Sequence, residues 1–245
     1  GNVGRNITLT SKRYGWTKLQ IMKKKIDNKS IEVIGIQEMV NTSNVRREWR
    51  HLLVNIQNIL ESDGIIIDLR GNGGGDDVPR EFIKYLISSD TTLYGRRRWE
   101  FQSPEAKALK FAQARLGIAW GEQRGNHLKY WKQQIEERER DYLEAEAGHL
   151  ERWKVYAEGN MTGITSRGYK GELLVLIDDE CASTCENMVY LLKQRPNTIF
   201  IGQNTAGAFH FGSIGQAMLT NSKIILTAGT KYSEMTVPLK EGNFI

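Results

Sequence analysis

Two short apolar runs, each ending in a loop of small residues, constrain the fold of this 245-residue chain more than any other feature. The first is 64-GIIIDLR-70, followed by 71-GNGGG-75, and the second is 172-ELLVLIDD-179, followed by 181-CASTCE-186. Strands that are apolar on both faces are typical of parallel sheets covered by helices. Because open α/β sheets bind ligands beyond the carboxyl ends of their strands, both loops are predicted to lie at a binding edge.

The alternation of strands and helices along the chain predicts an α/β fold with a mainly parallel sheet. Hydrophobic spacing and β-branched residues predict further elements. These are a strand at 31–39, a buried strand at 198–204, strands within 213–232, and helices at 44–62, 78–89 and 184–194.

Residues 96–160 differ from the rest of the chain because they are highly charged and carry scattered aromatic residues. This composition predicts a largely helical insertion or lid. The predicted division of the chain has three parts. An N-terminal segment covers residues 1–30, an α/β core covers 31–95 and 161–245, and the insertion covers 96–160.

Composition excludes several classes of protein. Hydrophobic residues make up 40% and charged residues 26% of the chain, which is ordinary for a soluble globular protein, and no run approaches the ~18 apolar residues of a membrane span. The net charge is +5, but the basic residues are scattered and interleaved with acidic ones, unlike the basic stripe of a nucleic-acid-binding protein. The run Arg96–Arg98 is therefore interpreted as a solvated helix edge or an anion contact.

The two cysteines, Cys181 and Cys185, are too few for a disulfide scaffold and lack the partners of a zinc site. An i,i+4 disulfide is geometrically awkward, so two small buried thiols beside the turn are favoured over a bridge. Neither a metal nor an organic cofactor is predicted.

The glycine cluster 71–75 requires a backbone with positive φ or a close approach to another group. It fits neither a dinucleotide fingerprint, because Asp76 stands where the third glycine belongs and Asp77 adds a second carboxylate, nor a Walker A loop. Backbone N–H groups arranged around a transient anion are the favoured interpretation.

Two descriptions of Ser183 are compatible. Ser183-Thr184-Cys185-Glu186 has the S-x-x-E pattern of a capping box, in which Ser183 begins the helix and Glu186 reaches back. In the second description, Ser183 is a nucleophile at a strand-to-helix turn. There the helix N-terminus and the Thr184 N–H would stabilise negative charge on a substrate carbonyl.

These residues carry a family resemblance. IIIDLRGNGGG and VLIDDECASTCENMVYLLKQ…TIFIGQNTAGA resemble the two signature blocks of the tail-specific, C-terminal processing serine peptidases. GSIGQAMLTNSKIILTAGTKYS resembles strands of the tricorn-like and interphotoreceptor retinoid-binding-protein-like branch. The resemblance implies a crotonase-like (ClpP-like) core and peptide-bond hydrolysis through an acyl-enzyme on Ser183. It also implies an oxyanion hole that combines the N–H groups of Thr184 and of Gly74, because relatives often have proline at the position of Gly73 and proline has no N–H.

The same resemblance implies a peptide or protein substrate and an exported protein, periplasmic or extracellular, while a homo-oligomer is left open. No nucleic-acid partner is expected from the scattered charge. Asp68 and Arg70 are expected to hold the strand end and the loop together.

The chain departs from the Ser–Lys branch of the family at the general base, since Ala208 occupies the position that matches the lysine. In the tricorn-like branch the base is a histidine from a segment before the core, and a glutamate near the C-terminal end helps to orient the site. One expectation is that this histidine and this glutamate both lie outside the chain. The other is that His210, which is near Ala208, is the base. The alternative function is a non-catalytic protein on the same fold that binds a ligand or peptide.

Overall fold

The computed structural model describes residues 19–39, 43–76, 79–124, 128–164 and 166–236. Within these ranges the chain forms eleven strands and six helices, and the strands form sheets of five, four and two strands. Asp77 and residues 1–18 of the predicted N-terminal segment lie outside the described residues.

The five-stranded sheet contains both apolar runs. Its strands, in spatial order, are β1 (Leu19–Ile26), β2 (Lys29–Ile36), β3 (Gly64–Asp68), β8 (Glu172–Ile177) and β9 (Thr198–Gly202). Only the β1–β2 pair is antiparallel, and the other three pairs are parallel. The predicted mainly parallel sheet is therefore confirmed. Since β3 and β8 are adjacent and parallel, the loops that follow them emerge at the same edge.

The prediction that 198–204 is a buried strand is wrong in part. Strand β9 lies at the edge of the sheet, and its side chains Ile199 and Ile201 are 52% and 42% exposed. An apolar run indicates that a strand packs against the protein interior. It does not show whether a neighbouring strand or helix is present on both sides.

Four helices belong to the part of the chain that carries the parallel sheet: α1 (Ser43–Val54), α2 (Ile56–Leu60), α3 (Pro79–Leu86) and α6 (Thr184–Lys193). Large apolar side chains of these helices, among them Trp49, Phe82 and Tyr190, are fully buried in one hydrophobic core with the strands. This burial is the main source of stability for the sheet that positions the two loops.

The helix predicted at 44–62 is interrupted at Asn55, between α1 and α2. The side-chain amide of Asn55 donates a hydrogen bond of 2.8 Å to the carbonyl oxygen of His51. Asparagine side chains compete in this way for the backbone hydrogen bonds of a helix, which explains why the apolar periodicity alone missed the break.

A second, antiparallel sheet lies beside the first. Its strands, in spatial order, are β10 (Phe211–Met218), β11 (Ile225–Met235), β5 (Arg96–Phe101) and β6 (Trp153–Ala157). The small sheet pairs β4 (Thr92–Leu93) with β7 (Met161–Thr162). Helices α4 (Pro104–Arg124) and α5 (Leu128–Glu146) pack together, and α4 lies across β10. The close approach requires glycine, because a Cβ on Gly215 would lie 2.7 Å from the Cβ of Leu109.

The run Arg96–Arg98 lies in strand β5 and not on a helix edge, so that part of the prediction is wrong. Alternating side chains of a strand point to opposite faces. In β5 these faces carry Arg96, Arg98 and Glu100 on one side and Arg97, Trp99 and Phe101 on the other. Arg97 shares its face with the two aromatic residues, so the run of three arginines interrupts the apolar alternation by which strands are recognised. The division of the chain into core and insertion stays a prediction, and the structure adds that β5 and β6 lie within 96–160.

Candidate active site

The turn between β8 and α6 exposes one serine on an otherwise buried segment. Ser183 immediately precedes the helix and is exposed, whereas Thr184 and Cys185 are buried. The φ angle of Ser183 is +57°, a conformation that residues other than glycine adopt rarely and that clusters at functional sites. The turn therefore presents a hydroxyl to the exterior at the N-terminal end of a helix.

Glu186 anchors this turn from the inside. Its carboxylate is fully buried, accepts a 2.9 Å hydrogen bond from the Ser183 N–H and accepts a 3.0 Å hydrogen bond from the Thr205 hydroxyl. The first of these is the carboxylate half of the predicted capping box. Burial raises the pKa of Glu186 above its ordinary value, while the hydrogen bonds, including those from the Gly207 and Ala208 N–H groups, oppose the rise. Glu186 thus ties the serine turn to the loop 205–208.

A disulfide joins Cys181 and Cys185, so the expectation of two unpaired thiols is wrong. Both residues are buried, and their Cα atoms lie 5.4 Å apart, within the range that a disulfide spans. An i,i+4 pair is awkward inside a regular helix. Here Cys181 precedes the helix, and the turn brings it back towards Cys185. The bridge encloses Ser183.

Asn72 organises the glycine loop, a role that the sequence prediction missed. Its side chain is fully buried, donates a 2.7 Å hydrogen bond to the Ile36 carbonyl and accepts a 2.8 Å hydrogen bond from the Gly74 N–H. Its own carbonyl accepts a 3.1 Å hydrogen bond from the Ala182 N–H. Asn72 therefore connects β2, the glycine loop and the serine turn. The only sequence signal was an amide side chain inside a glycine cluster after a buried strand.

Gly74 is the point at which the two loops meet. Its φ angle is +92°, and a Cβ at this position would lie 2.5 Å from the Ala182 carbonyl oxygen and 2.9 Å from the Thr184 nitrogen. Any side chain would therefore displace the serine turn. Next in the chain, the carbonyl of Gly75 accepts a 2.5 Å hydrogen bond from the Thr184 hydroxyl. The structure brings the glycine loop directly against Ser183 and Thr184.

Charged residues hold the ends of β3 and β8 in place. Arg70 donates two hydrogen bonds to Asp68, of 2.8 Å and 2.6 Å, and Asp178 accepts the Gly71 N–H at 2.9 Å and 3.0 Å from its two oxygens. The hydrogen bond to Asp68 raises the pKa of Arg70 further. The expected pairing of Asp68 with Arg70 is confirmed, and Asp178 is a third member that the sequence did not indicate.

A pocket of about 210 Å³ opens beside Ser183. It combines the two loops with residues of the antiparallel sheet, and its lining is Gly75, Asp76, Arg96, Arg98, Ser183, Thr184, Ala208, Gly212, Ser213, Lys231 and Ser233. Ala208 faces this pocket at the position that matches the family lysine. The run Arg96–Arg98 was interpreted from the sequence as a solvated helix edge or an anion contact, without a link to Ser183. Lys231 was not predicted as a site residue, because these residues lie on strands distant in sequence from both motifs.

His210 lies next to the pocket without lining it. Its Nδ1 atom is 2.9 Å from the carbonyl oxygen of Ser233, and its ring stacks on Tyr232. Among the described residues, no hydrogen bond joins His210 to Ser183. No group of three or more histidine, cysteine or acidic side chains could hold a metal ion within the described ranges.

A model of peptidase family S41 matches residues 30–235. Because the match covers most of the chain, the chain belongs to peptidase family S41, and the resemblance to the tail-specific peptidases is confirmed. No curated protein sequence is significantly similar to it.

Solved structures of the same general fold include mature CPAF, with 14% sequence identity and a TM-score of 0.51, and mature CPAF complexed with lactacystin, with 14% identity and a TM-score of 0.52. Each match covers 87% of this chain and 45% of the CPAF chain. A photosystem II D1 C-terminal processing protease matches with 11% identity and a TM-score of 0.45, over 89% of this chain and 44% of its own. The chain thus spans less than half the length of these proteins.

Proposed function

We propose that the chain carries the nucleophile of a serine peptidase and that this nucleophile is Ser183. The observation that carries the proposal is an exposed serine at positive φ, at the start of a buried helix and in the wall of a pocket. In the proposed reaction the Ser183 hydroxyl attacks the peptide carbonyl and the amine leaves with a proton. Water then hydrolyses the acyl-enzyme to release the acid.

Backbone N–H groups would stabilise the oxyanion of this reaction. The Thr184 N–H is the first of its helix and has no intrahelical acceptor, and the positive end of the helix dipole favours an anion there. Gly74 was predicted as the second donor, but its N–H already binds the Asn72 side chain. Gly75, which lines the pocket, is therefore the second donor that we favour.

The base in this proposal is an imidazole. His210 is the candidate among the described residues, because its Nδ1 faces the Ser233 carbonyl. A carbonyl only accepts hydrogen bonds, so Nδ1 carries a proton, and in the neutral ring the lone pair is then on Nε2. Lys231 lines the same pocket, but its ammonium forms an ion pair with Glu100 at 3.3 Å. An ion-paired ammonium has no lone pair with which to accept the serine proton.

The disulfide supports the proposal that the protein is exported. Disulfides persist in oxidising surroundings such as the periplasm or the extracellular space, and the bridge between Cys181 and Cys185 supports an exported protein. None of the helices within the described ranges is long and apolar enough to cross a membrane. A peptide or protein substrate fits the family.

The alternative is a binding protein on the same fold, and Ala208 is the observation that favours it. With alanine in the pocket wall at the lysine position, the serine would lack the base of the Ser–Lys branch. A ligand would then bind beside Ser183 without turnover.

Labelling with a fluorophosphonate probe separates the two functions. The wild-type chain should form a covalent adduct and cleave peptides from a mixed library, and Ser183→Ala should lose both activities. Removal of a catalytic nucleophile costs roughly a thousandfold or more in kcat. Labelling that survives Ser183→Ala contradicts the proposed nucleophile, and a folded wild-type protein that neither labels nor cleaves supports the binding protein.

The base is tested separately with His210→Ala. Loss of a general base lowers kcat by roughly a hundredfold to ten-thousandfold, with the unfolding temperature as a check on folding. An unchanged kcat would assign the base to another residue.

A further inference from the structure

The pocket beside Ser183 has one wall of backbone groups and one wall of basic side chains. Arg96 and Arg98 of β5 and Lys231 of β11 form the second wall, which we call the cationic wall. The strand register explains it: Arg98 pairs with Ser233 and Glu100 pairs with Lys231. Alternate residues of paired strands share a face, so these side chains all project from the same side of the antiparallel sheet.

Carboxylates outside the pocket lining hold the cationic wall in position. Glu158 contacts Arg98 and lies 3.1 Å from the Nε of Arg96, and its carboxylate is also 3.8 Å from Arg80. Three guanidinium groups thus share one carboxylate. The guanidinium of Arg96 also lies 5.0 Å from the centre of the Phe209 ring, which fixes its plane.

Lys231 is held in a similar network on the same face. Glu100 lies 3.3 Å from Lys231 and 3.2 Å from Lys107, and Lys107 also reaches Asp141 at 3.2 Å. The nearby lysines lower the pKa of Glu100, against the opposing effect of burial. Glu100 therefore stays ionised and holds its partners, while it does not itself line the pocket.

The lining has an excess of positive charge. Three cations, Arg96, Arg98 and Lys231, line the pocket together with a single carboxylate, Asp76, while Glu158 and Glu100 contact these cations from outside the lining.

We propose that the cationic wall binds a carboxylate side chain of the substrate, so that the peptidase prefers aspartate or glutamate beside the bond that it cleaves. This inference rests on the proposed function of Ser183. Arginine suits the role because its planar fork of donors matches a carboxylate. A free C-terminal carboxylate offers the same chemistry from another source, and the experiment must separate the two.

The test uses quenched fluorescent peptides with amidated C-termini that differ at one position, Glu, Gln or Lys. For the wild type we expect kcat/KM for the Glu peptide to exceed that for the Gln peptide by roughly tenfold to a hundredfold, as for hydrogen bonds to charged groups. Arg98→Gln should reduce this ratio to near one, and Arg98→Lys should keep part of it. Arg97→Gln is the matched control, because Arg97 lies on the opposite face of β5, and it should retain the full ratio.

Lys231→Met provides a second test that does not depend on the folding of the Arg98 variants, and it should also lower the Glu/Gln ratio. A ratio near one in the wild type, or a ratio that Arg98→Gln and Lys231→Met leave unchanged, overturns the proposal. A preference that appears only with a free C-terminal carboxylate also overturns it.

Binding of the same peptides to Ser183→Ala, measured by fluorescence anisotropy, separates this proposal from the proposed function. One outcome is that the wild type cleaves no peptide while Ser183→Ala binds the Glu peptide more tightly than the Gln peptide. That outcome would support the proposed role of the cationic wall and refute the peptidase. Cleavage without a difference between the Glu and Gln peptides in either binding or kcat/KM would support the peptidase and refute the proposed role of the cationic wall.

Discussion

The two walls of the Ser183 pocket are built by different means. The first wall comes from loops after two parallel strands and consists of backbone groups and small residues, with Gly74 packed against the serine turn. The second comes from antiparallel strands β5 and β11 and consists of long basic side chains. The first is suited to chemistry on a peptide carbonyl, which every substrate has, and the second to distinguishing one substrate from another.

The two walls should therefore tolerate different substitutions. A wall of backbone groups depends on loop conformation, so that small substitutions far from any reacting atom should abolish activity. A wall of side chains depends on charge, so that substitutions there should change selectivity and leave the chemistry intact. The Glu/Gln ratio proposed above tests the second wall, and the following predictions test the first.

Among the variants that keep Ser183 and His210, the largest effect is expected from Gly74→Ala. The new Cβ would lie 2.5 Å from the Ala182 carbonyl oxygen at a φ of +92°, so the serine turn must move. Misplacement of a catalytic group by about 1 Å can cost roughly a hundredfold in rate, and we expect at least this loss in the rate of fluorophosphonate labelling.

Gly73→Ala is the matched control for Gly74→Ala. No described atom lies within 4 Å of the position that its Cβ would take, and its φ is not in the left-handed region. It should label at close to the wild-type rate. Equal loss in both variants, or none in Gly74→Ala, would show that the contact between the two loops is not required.

A smaller effect is expected from removal of the disulfide. The bridge closes a loop of only a few residues, for which the chain-entropy model gives about 2 kcal/mol, or roughly 4–8 °C in the unfolding temperature of a chain of this size. Differential scanning fluorimetry with and without a reductant measures the shift. The double variant Cys181→Ala/Cys185→Ala should unfold at the temperature of the reduced wild type and should not respond to reductant. A wild type that is equally insensitive, or that mass spectrometry shows to carry two free thiols, contradicts the bridge.

The smallest effect is the pH dependence that Glu186 introduces. Burial raises its pKa in the folded state above the ordinary 4.5. A carboxyl group with a raised pKa contributes stability that is fully present below the unfolded pKa and is lost as the pH rises through the folded pKa. The free energy of unfolding of the wild type, relative to Glu186→Gln, should therefore fall as the pH rises from about 4 towards neutrality. Urea titrations at several pH values measure it, and a difference that is constant or that grows with pH contradicts the assignment.

The first wall could be predicted from the sequence because its signals are local. A buried strand followed at once by glycines, or by small residues and a capping pattern, specifies both the loop and its place at the edge of a parallel sheet. For this reason Ser183 and its contact with the glycine loop could be predicted from the sequence. The role of Asn72 could not, because it depends on which loops meet in space. The disulfide was disfavoured because the i,i+4 spacing does not show how the turn before the helix brings Cys181 back towards Cys185.

The second wall could not be predicted from local signals. Arg96 and Lys231 are far apart in sequence, and the run of three arginines in β5 obscures the sequence pattern that would indicate a strand. Their meeting depends on the register between β5 and β11, which tertiary pairing sets. The same limit applies to β9, whose apolar residues gave no sign that the strand lies at an edge.

The most direct test of Ser183 as the nucleophile is detection of an acyl-enzyme. A slowly deacylating activated ester, added to the wild type and quenched in acid, should increase the mass of the protein by one acyl group. Tandem mass spectrometry should place that group on Ser183, and Ser183→Ala should remain unmodified. An acyl group on any other residue, or equal acylation of Ser183→Ala, would contradict the account.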